Sequence, residues 1–319
     1  MFRACVFVLV ALSAACGRDS NAGSAPADPV AAARQELGKM LFFDPRLSGT
    51  GKTSCSTCHH ADKAWTDGRK TAPKDDGSMN TRNAPTMYSV GKLDRWYWDG
   101  RAPSLEKNIT AAWKSQNGGD PAVVAKALAA VPGYVAQFQA AKLDAPSEQT
   151  IVDALATFLR SLNAGNSAFD QWQAGKKDAI SVAAQQGYEL FKGKAGCYVC
   201  HPEPLFTDKS FKNTGLGMDA EKPDPGAGGE KAFNNPNMIG FFKVPTLRDV
   251  AVTAPYFHDG SVADLTEAVR FLAGGGREHE RKSPELINRT LNDAEIGQLV
   301  EFLRTLTSQQ QFTPPTLPK

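Results

Sequence analysis

The chain has 319 residues, enough for two domains of ordinary size, and 41% of them are hydrophobic, enough for a packed core. Its 36 basic and 34 acidic residues nearly cancel, to a net charge of +2, which removes the electrostatic reason to expect nucleic-acid binding. The 28 glycines and 20 prolines point to a loop-rich chain.

From the N-terminus, Arg3 is followed by an apolar run to Ala15, small residues and Cys16. This reads as an export signal over residues 1–16, too short to be a permanent membrane span. Leu12-Ser-Ala-Ala-Cys16 is similar to a bacterial lipoprotein cleavage site, with the large apolar residue one place farther from the cysteine than usual. Lipidation of Cys16 and simple cleavage nearby both stay open. A polar, small-residue tether follows over 17–30.

A helix is expected over 35–43, leading into Cys55-Ser-Thr-Cys58-His59. Ser147 caps a second helix, whose Ile151, Val152, Leu155, Phe158, Leu159 and Leu162 share one face. The polar stretch 163–170 reads as a linker between an N-terminal domain, 31–165, and a C-terminal domain, 166–319. A helix over 179–191 leads into Cys197-Tyr-Val-Cys200-His201. Asn292-Asp-Ala-Glu295 opens the last helix like a capping box, with Ile296, Leu299, Val300, Leu303 and Leu306 on one face. No period-two pattern is sustained anywhere, so the fold class is all-α with many loops.

Two of the six cysteines, Cys5 and Cys16, belong to the signal. The other four form two Cys-x-x-Cys pairs, each followed directly by histidine. A zinc ribbon usually keeps its cysteine pairs close in sequence, and these are far apart. A disulfide or a thiol redox pair has no use for a histidine in the same place twice. Two thiols at this spacing can form thioethers to the two vinyl groups of a haem, with the next residue under the iron. The chain is therefore expected to carry two covalent c-type haems, on Cys55, Cys58 and His59 and on Cys197, Cys200 and His201.

The halves look like copies of one plan. Gly38-Lys-Met-Leu41-Phe42 precedes the first haem motif and Gly187-Tyr-Glu-Leu190-Phe191 the second. Trp65-Thr66-Asp67 matches Phe206-Thr207-Asp208, and Trp98-Asp99-Gly100 matches His258-Asp259-Gly260. From Pro85 to Leu105 the offset to the second half is constant. The expected architecture is two cytochrome c-like haem domains related by internal duplication.

With these motifs in place, the sequence resembles the bacterial di-haem cytochrome c peroxidases and the related MauG enzymes. The resemblance is carried by Leu37-Gly-Lys-Met-Leu-Phe-Phe-Asp-Pro-Arg-Leu-Ser48, Arg82-Asn-Ala-Pro-Thr86, Trp98-Asp-Gly-Arg101, Pro245-Thr-Leu-Arg-Asp-Val250 and Thr253-Ala-Pro-Tyr-Phe-His-Asp-Gly260. It implies that the haem on His59 meets hydrogen peroxide and that the haem on His201 takes in and passes on electrons. It places Trp98 between the haems, with a packed interdomain aromatic as the alternative role. It also implies a calcium ion between the domains, bound by Asn83 and by backbone carbonyls of Thr253 and Pro255.

This chain departs from the family pattern in three places. Some members rest with a second histidine over the peroxidatic iron, but residues 65–80 contain none, and His60 adjoins His59. The first haem is therefore expected to be open without prior reduction. The glutamine that usually helps to cleave peroxide is Asn108 here, and the usual glutamate position falls at Gly118. Glu106 is the nearby carboxylate, off the motif, with a solvated helix position as its other reading. At the second haem, the usual methionine or tyrosine ligand position is Leu272, which cannot bind iron; His279 is the candidate substitute, ahead of Met218 and Met238.

The resulting expectation is a periplasmic di-haem oxidoreductase that reduces hydrogen peroxide. Its catalytic candidates are Trp98, Asn108 and Glu106, and its electron donor is a small cytochrome c or cupredoxin. The alternatives are a MauG-like enzyme that oxidises a protein partner and a plain di-haem electron carrier. A lipid anchor and a homodimer stay open.

Overall fold

The computed structural model describes residues 28–319. The export signal, Cys16 and residues 17–27 of the tether lie outside the described residues.

Asp28 begins the first helix. Its side chain accepts the Val30 N–H at 3.0 Å, and Pro29, whose missing donor costs nothing there, takes the first position. Helix α1 (Pro29–Phe43) therefore starts before the expected residue 35. The N-terminal half continues with α2 (Leu105–Ser115), α3 (Pro121–Ala129), α4 (Pro132–Ala140) and α5 (Glu148–Ser161). The C-terminal half holds α6 (Ala168–Gln173), α7 (Val182–Lys192), α8 (Leu265–Ala273) and α9 (Asp293–Arg304). Ser147 caps α5, and a reciprocal Asn292–Glu295 box caps α9, as the residue pattern predicts.

The stretch expected as a linker is partly helical. Ser167 and Asp170 form a capping box that starts α6 inside it. The only strand ladder among the described residues is a two-residue antiparallel pair, β1 (Phe211–Lys212) with β2 (Phe242–Lys243).

The core is split in two. Leu37, Leu41 and Phe42 of α1 pack with Ile151, Leu155 and Phe158 of α5 in one cluster. Tyr188 and Phe191 of α7 pack with Leu299, Phe302 and Leu303 of α9 in the other. Each helix pair crosses at a glycine. A Cβ on Gly38 would collide with the Ala154 carbonyl, and one on Gly187 with the Gln298 carbonyl.

The C-terminal segment returns to the N-terminal half. Phe312 stacks on Phe43 at 5.5 Å and meets Trp65 edge-on at 4.8 Å, and the Pro318 carbonyl accepts Arg46 Nη2 at 2.9 Å.

Candidate functional site

Each Cys-x-x-Cys-His motif folds as a single 3₁₀ turn, at Cys55–Thr57 and Cys197–Val199. The histidine that follows is held by a carbonyl farther along the chain. His59 Nδ1 lies 2.8 Å from the Trp65 carbonyl, and His201 Nδ1 lies 2.8 Å from the Phe206 carbonyl. A carbonyl can only accept, so Nδ1 carries the proton and Nε2 keeps a lone pair. Burial pushes both imidazoles below their ordinary pKa, which keeps the rings neutral.

The carbonyls that orient the rings sit on strained backbone. Trp65 has φ +64° and Phe206 φ +53°, the left-handed region that bulky residues avoid. Such a conformation costs about 1–3 kcal/mol and persists only where the surroundings impose it. Here those surroundings include two threonines: Thr86 Oγ1 donates to the Ala64 carbonyl and Thr246 Oγ1 to the Leu205 carbonyl, each at 2.6 Å.

The four motif cysteines are not disulfide-bonded. Burial pushes the Cys55 thiol up to about 12 and the Cys58 and Cys197 thiols up to about 11, so none is a free thiolate. Two apolar-set thiols beside a neutral imidazole with a free Nε2 suit a covalently held haem.

Beside the first motif lies a cavity of ≈ 860 Å³, in the size range of cofactor pockets. Cys55, Cys58 and His59 line it, and so do Trp98 and Asn108. Part of its wall, at Leu205, Thr207, Lys243 and Thr246, comes from the other half of the chain. His59 is the only histidine among its lining residues.

Trp98 stands at the seam between the halves. Its indole Nε1 donates to the Asn83 carbonyl at 2.9 Å, and its own carbonyl accepts the Lys243 N–H of β2 at 2.8 Å. Asn83 is tied to both halves as well. Its N–H donates to the His258 carbonyl at 2.8 Å and its Nδ2 to the Arg69 carbonyl at 2.8 Å, leaving Oδ1 available. Thr253 turns its hydroxyl onto the Val250 carbonyl at 3.2 Å, so its own carbonyl is its remaining donor to a cation. Among the described residues, no three His, Cys, Asp or Glu side chains cluster as a metal site.

The two carboxamide and carboxylate candidates on α2 face different ways. Asn108 lines the cavity, whereas Glu106 is bound at the surface by Arg160 of α5 at 2.5 Å. Gly118 does not point into the cavity. It sits at φ +62°, and a Cβ there would meet Asp75 Oδ2 at 3.3 Å. Gln116 and Asn117 of the same loop do line the cavity, a placement that loop spacing alone does not reveal.

At the second site, Leu272 is half-buried on α8. His279 Nδ1 accepts the Arg281 N–H at 3.0 Å in a local turn, leaving Nε2 as its donor atom. Met218 is buried against Gly240, and Met238 ends a 3₁₀ turn, Pro236–Met238.

Lys243 is the lining residue that motif reading passed over. It is 9% exposed and lines the cavity.

Comparison with known proteins identifies the family. The sequence model of the di-haem cytochrome c peroxidases matches residues 32–178. The chain is 36% identical over 286 residues to the methylamine utilization protein MauG of Methylophilus methylotrophus, covering 88% of this chain and 84% of that protein. It is 36% identical over 289 residues to cytochrome c551 peroxidase of Nitrosomonas europaea, covering 89% and 83%. A crystal structure of a MauG-like protein associated with microbial copper homeostasis superposes with a TM-score of 0.81 at 30% identity, over 87% of this chain and 90% of that one. The chain belongs to the family of di-haem cytochrome c peroxidases and MauG proteins.

Proposed function

We propose that this chain is a periplasmic di-haem peroxidase that reduces hydrogen peroxide at its N-terminal site with electrons received at its C-terminal site. Its two haem domains, 31–165 and 166–319, are read as duplicates. What supports the duplication is the set of paired features: an imidazole held by the carbonyl of a left-handed residue, a threonine brace beneath it, and a helix crossing at glycine. In this reading Cys55 and Cys58 would hold one haem, with His59 offering Nε2 to its iron. Cys197, Cys200 and His201 do the same in the second half. The haems supply the iron at which peroxide is reduced and the centre through which electrons enter.

The chain supplies orientation and hydrogen bonding. The Trp65 and Phe206 carbonyls fix the tautomer and direction of the proximal rings. Asn108 offers the cavity an amide donor, which can hydrogen-bond a peroxide oxygen but cannot transfer a proton. Trp98 would link the two sites, a role supported by its hydrogen bonds to Asn83 in its own half and Lys243 in the other. A calcium ion held by Asn83 Oδ1 and the Thr253 and Pro255 carbonyls would brace the same seam. At the second site His279 would be the further iron-binding residue, with Met218 and Met238 behind it.

The observation that carries the function is the cavity itself. His59, Asn108 and Trp98 line it together with residues from the other half of the chain. The test is steady-state reduction of hydrogen peroxide by the haem-loaded chain, with a reduced small cytochrome c or cupredoxin as donor. Slow but measurable turnover is expected. A chain that shuttles electrons and never reacts with peroxide would be a carrier instead.

A second reading, peroxide-driven oxidation of a protein partner, is favoured by one specific observation. No histidine other than His59 lines the cavity, so no second imidazole is at hand to close the first site at rest. Covalent change in a partner protein on peroxide addition, with no small donor present, would select that reading.

A further inference from the structure

Lys243 is a buried cation without a counter-ion. The residue lines the cavity, and its Nζ donates to the Arg95 carbonyl at 2.9 Å. The two carboxylates that face it are committed elsewhere. Asp94 is held by Lys209 at 3.1 Å, and Asp99 by Arg82 at 2.7 Å and Arg101 at 2.8 Å. Arg95 supplies only its carbonyl, its guanidinium lying over the Phe233 ring at 4.9 Å. On the neighbouring β1, Lys212 pairs with Glu285 at 2.7 Å. Of the other lining cations, Arg82 also holds Asp224 at 2.7 Å, Lys74 is half-buried and Lys231 is exposed.

A buried ammonium with one neutral hydrogen bond is costly unless an anion joins it. Consistent with this, burial pushes Lys243 down to about 8. The group expected in this cavity brings anions of its own. A haem carries two propionate carboxylates on the edge opposite its vinyl groups, and the vinyl edge is fixed here by Cys55 and Cys58.

We propose that Lys243 binds a propionate of the first haem, so that a cation from the C-terminal half clasps the cofactor attached to the N-terminal half. This rests on the haem assignment above but not on the peroxidase activity. The clasp is made at the residue whose N–H also holds the Trp98 carbonyl, so the haem edge, Trp98 and β2 form one connected unit. A cation at the haem edge favours the reduced, less positive iron, so its removal lowers the reduction potential.

The test uses the full haem-loaded chain. Lys243→Met is expected to keep two haems per chain by pyridine haemochrome. It should lower the midpoint potential of the first haem and leave that of the second unchanged. Without its partner the propionate gains a proton more readily, so its carboxylate bands in redox-difference infrared spectra should titrate at higher pH than in the wild type. Lys243→Arg should restore both properties. An unchanged potential and unchanged carboxylate bands in Lys243→Met would overturn the proposal. So would a wild-type potential that moves with added formate or chloride and stops moving in the variant, because Lys243 would then hold a free anion. If Lys243→Met does not mature, the wild type decides. Propionates that both titrate in the ordinary carboxylic range contradict the clasp, and one that stays ionised well below that range supports it. A wild-type chain with no haem on Cys55 and Cys58 would bring down the cofactor reading itself, and haemochrome alone identifies that outcome.

Discussion

Asn108 and Glu106 sit two residues apart on α2, and that spacing separates their roles. Asn108 looks into the cavity, while Glu106 turns to Arg160 on the surface. Removing a well-placed hydrogen-bond donor from a reacting group typically costs about 100-fold in rate. Asn108→Ala is therefore expected to slow peroxide reduction by about that factor at unchanged thermal stability, measured by stopped-flow mixing with hydrogen peroxide. Glu106→Gln breaks only a half-exposed ion pair, of the kind that contributes about 0–1 kcal/mol. Its peroxide rate should stay within about 2-fold of wild type. Placing a carboxylate is a matter of direction as well as sequence position. Gly118→Glu would force a side chain into left-handed backbone beside Asp75. It should destabilise the fold without speeding the reaction. Gln116→Glu, on a residue that lines the cavity, is the substitution expected to raise the rate, by up to about 100-fold if the acid can pass a proton. A faster Gly118→Glu enzyme would show that the loop is placed otherwise.

At the scale of elements, the two haem turns are held up by helix pairs that touch backbone to backbone. Gly38 lets α1 approach the Ala154 carbonyl of α5, and Gly187 lets α7 approach the Gln298 carbonyl of α9. Over-packing a tight contact usually costs about 1–3 kcal/mol, and a methyl against a carbonyl leaves little room to relax. Gly38→Ala and Gly187→Ala should each lower the thermal midpoint, and each should impair haem attachment mainly in its own half. Helix α6 adds a dependence on acid. Burial opposes the charge of Asp170, but hydrogen bonds from the Ser167 N–H, Arg248 and the Ser167 hydroxyl outweigh it and hold the carboxyl below its usual range. Arg248 Nη1 reaches it at 2.7 Å. A depressed folded-state pKa means that this stabilisation is complete above the ordinary carboxylate pKa and is lost as pH falls through the folded value. The C-terminal half should therefore loosen in strong acid, and Arg248→Met should move that transition to higher pH, as followed by circular dichroism against pH.

Across the whole molecule, the halves are joined at the Trp98 seam and by the C-terminal segment. Phe312 lies against Trp65, whose carbonyl holds His59, so the end of the chain touches the support of the first motif's imidazole. Phe312→Ala removes a half-buried ring from that aromatic cluster. The expected loss is about 1–2 kcal/mol, with a shift in the first haem's spectrum and none in the second's. The proposed calcium site would act at the same scale. A chelator should weaken the contact between the halves and slow electron transfer between the haems, and Asn83→Ala should reproduce the effect without chelator. If neither treatment changes the spectrum or the stability, Asn83 serves only through its hydrogen bonds to Trp98 and His258.

Some of this protein was determined within short stretches of chain. A Cys-x-x-Cys-His turn is local chemistry, and so are the Ser147 and Asn292 caps, which is why the haem motifs and their flanking helices are legible without a structure. The paired motifs are legible too, because from Pro85 to Leu105 the offset to the matching residues of the second half is constant. Other features depend on residues far apart in sequence. Asp28 and Pro29 start α1 early, but its length matters only because α5 lies across Gly38. Whether Asn108, Glu106, Gln116 or Gly118 faces the cavity depends on helix rotation and loop direction, which spacing does not encode. Lys243 reads as an ordinary basic residue in the sequence. Only the folded chain buries it, commits Asp94 and Asp99 to other partners, and sets the residue in the wall of a cavity whose histidine comes from the other half. Burial and charge pairing are properties of three-dimensional neighbours, so the tertiary structure alone decided them.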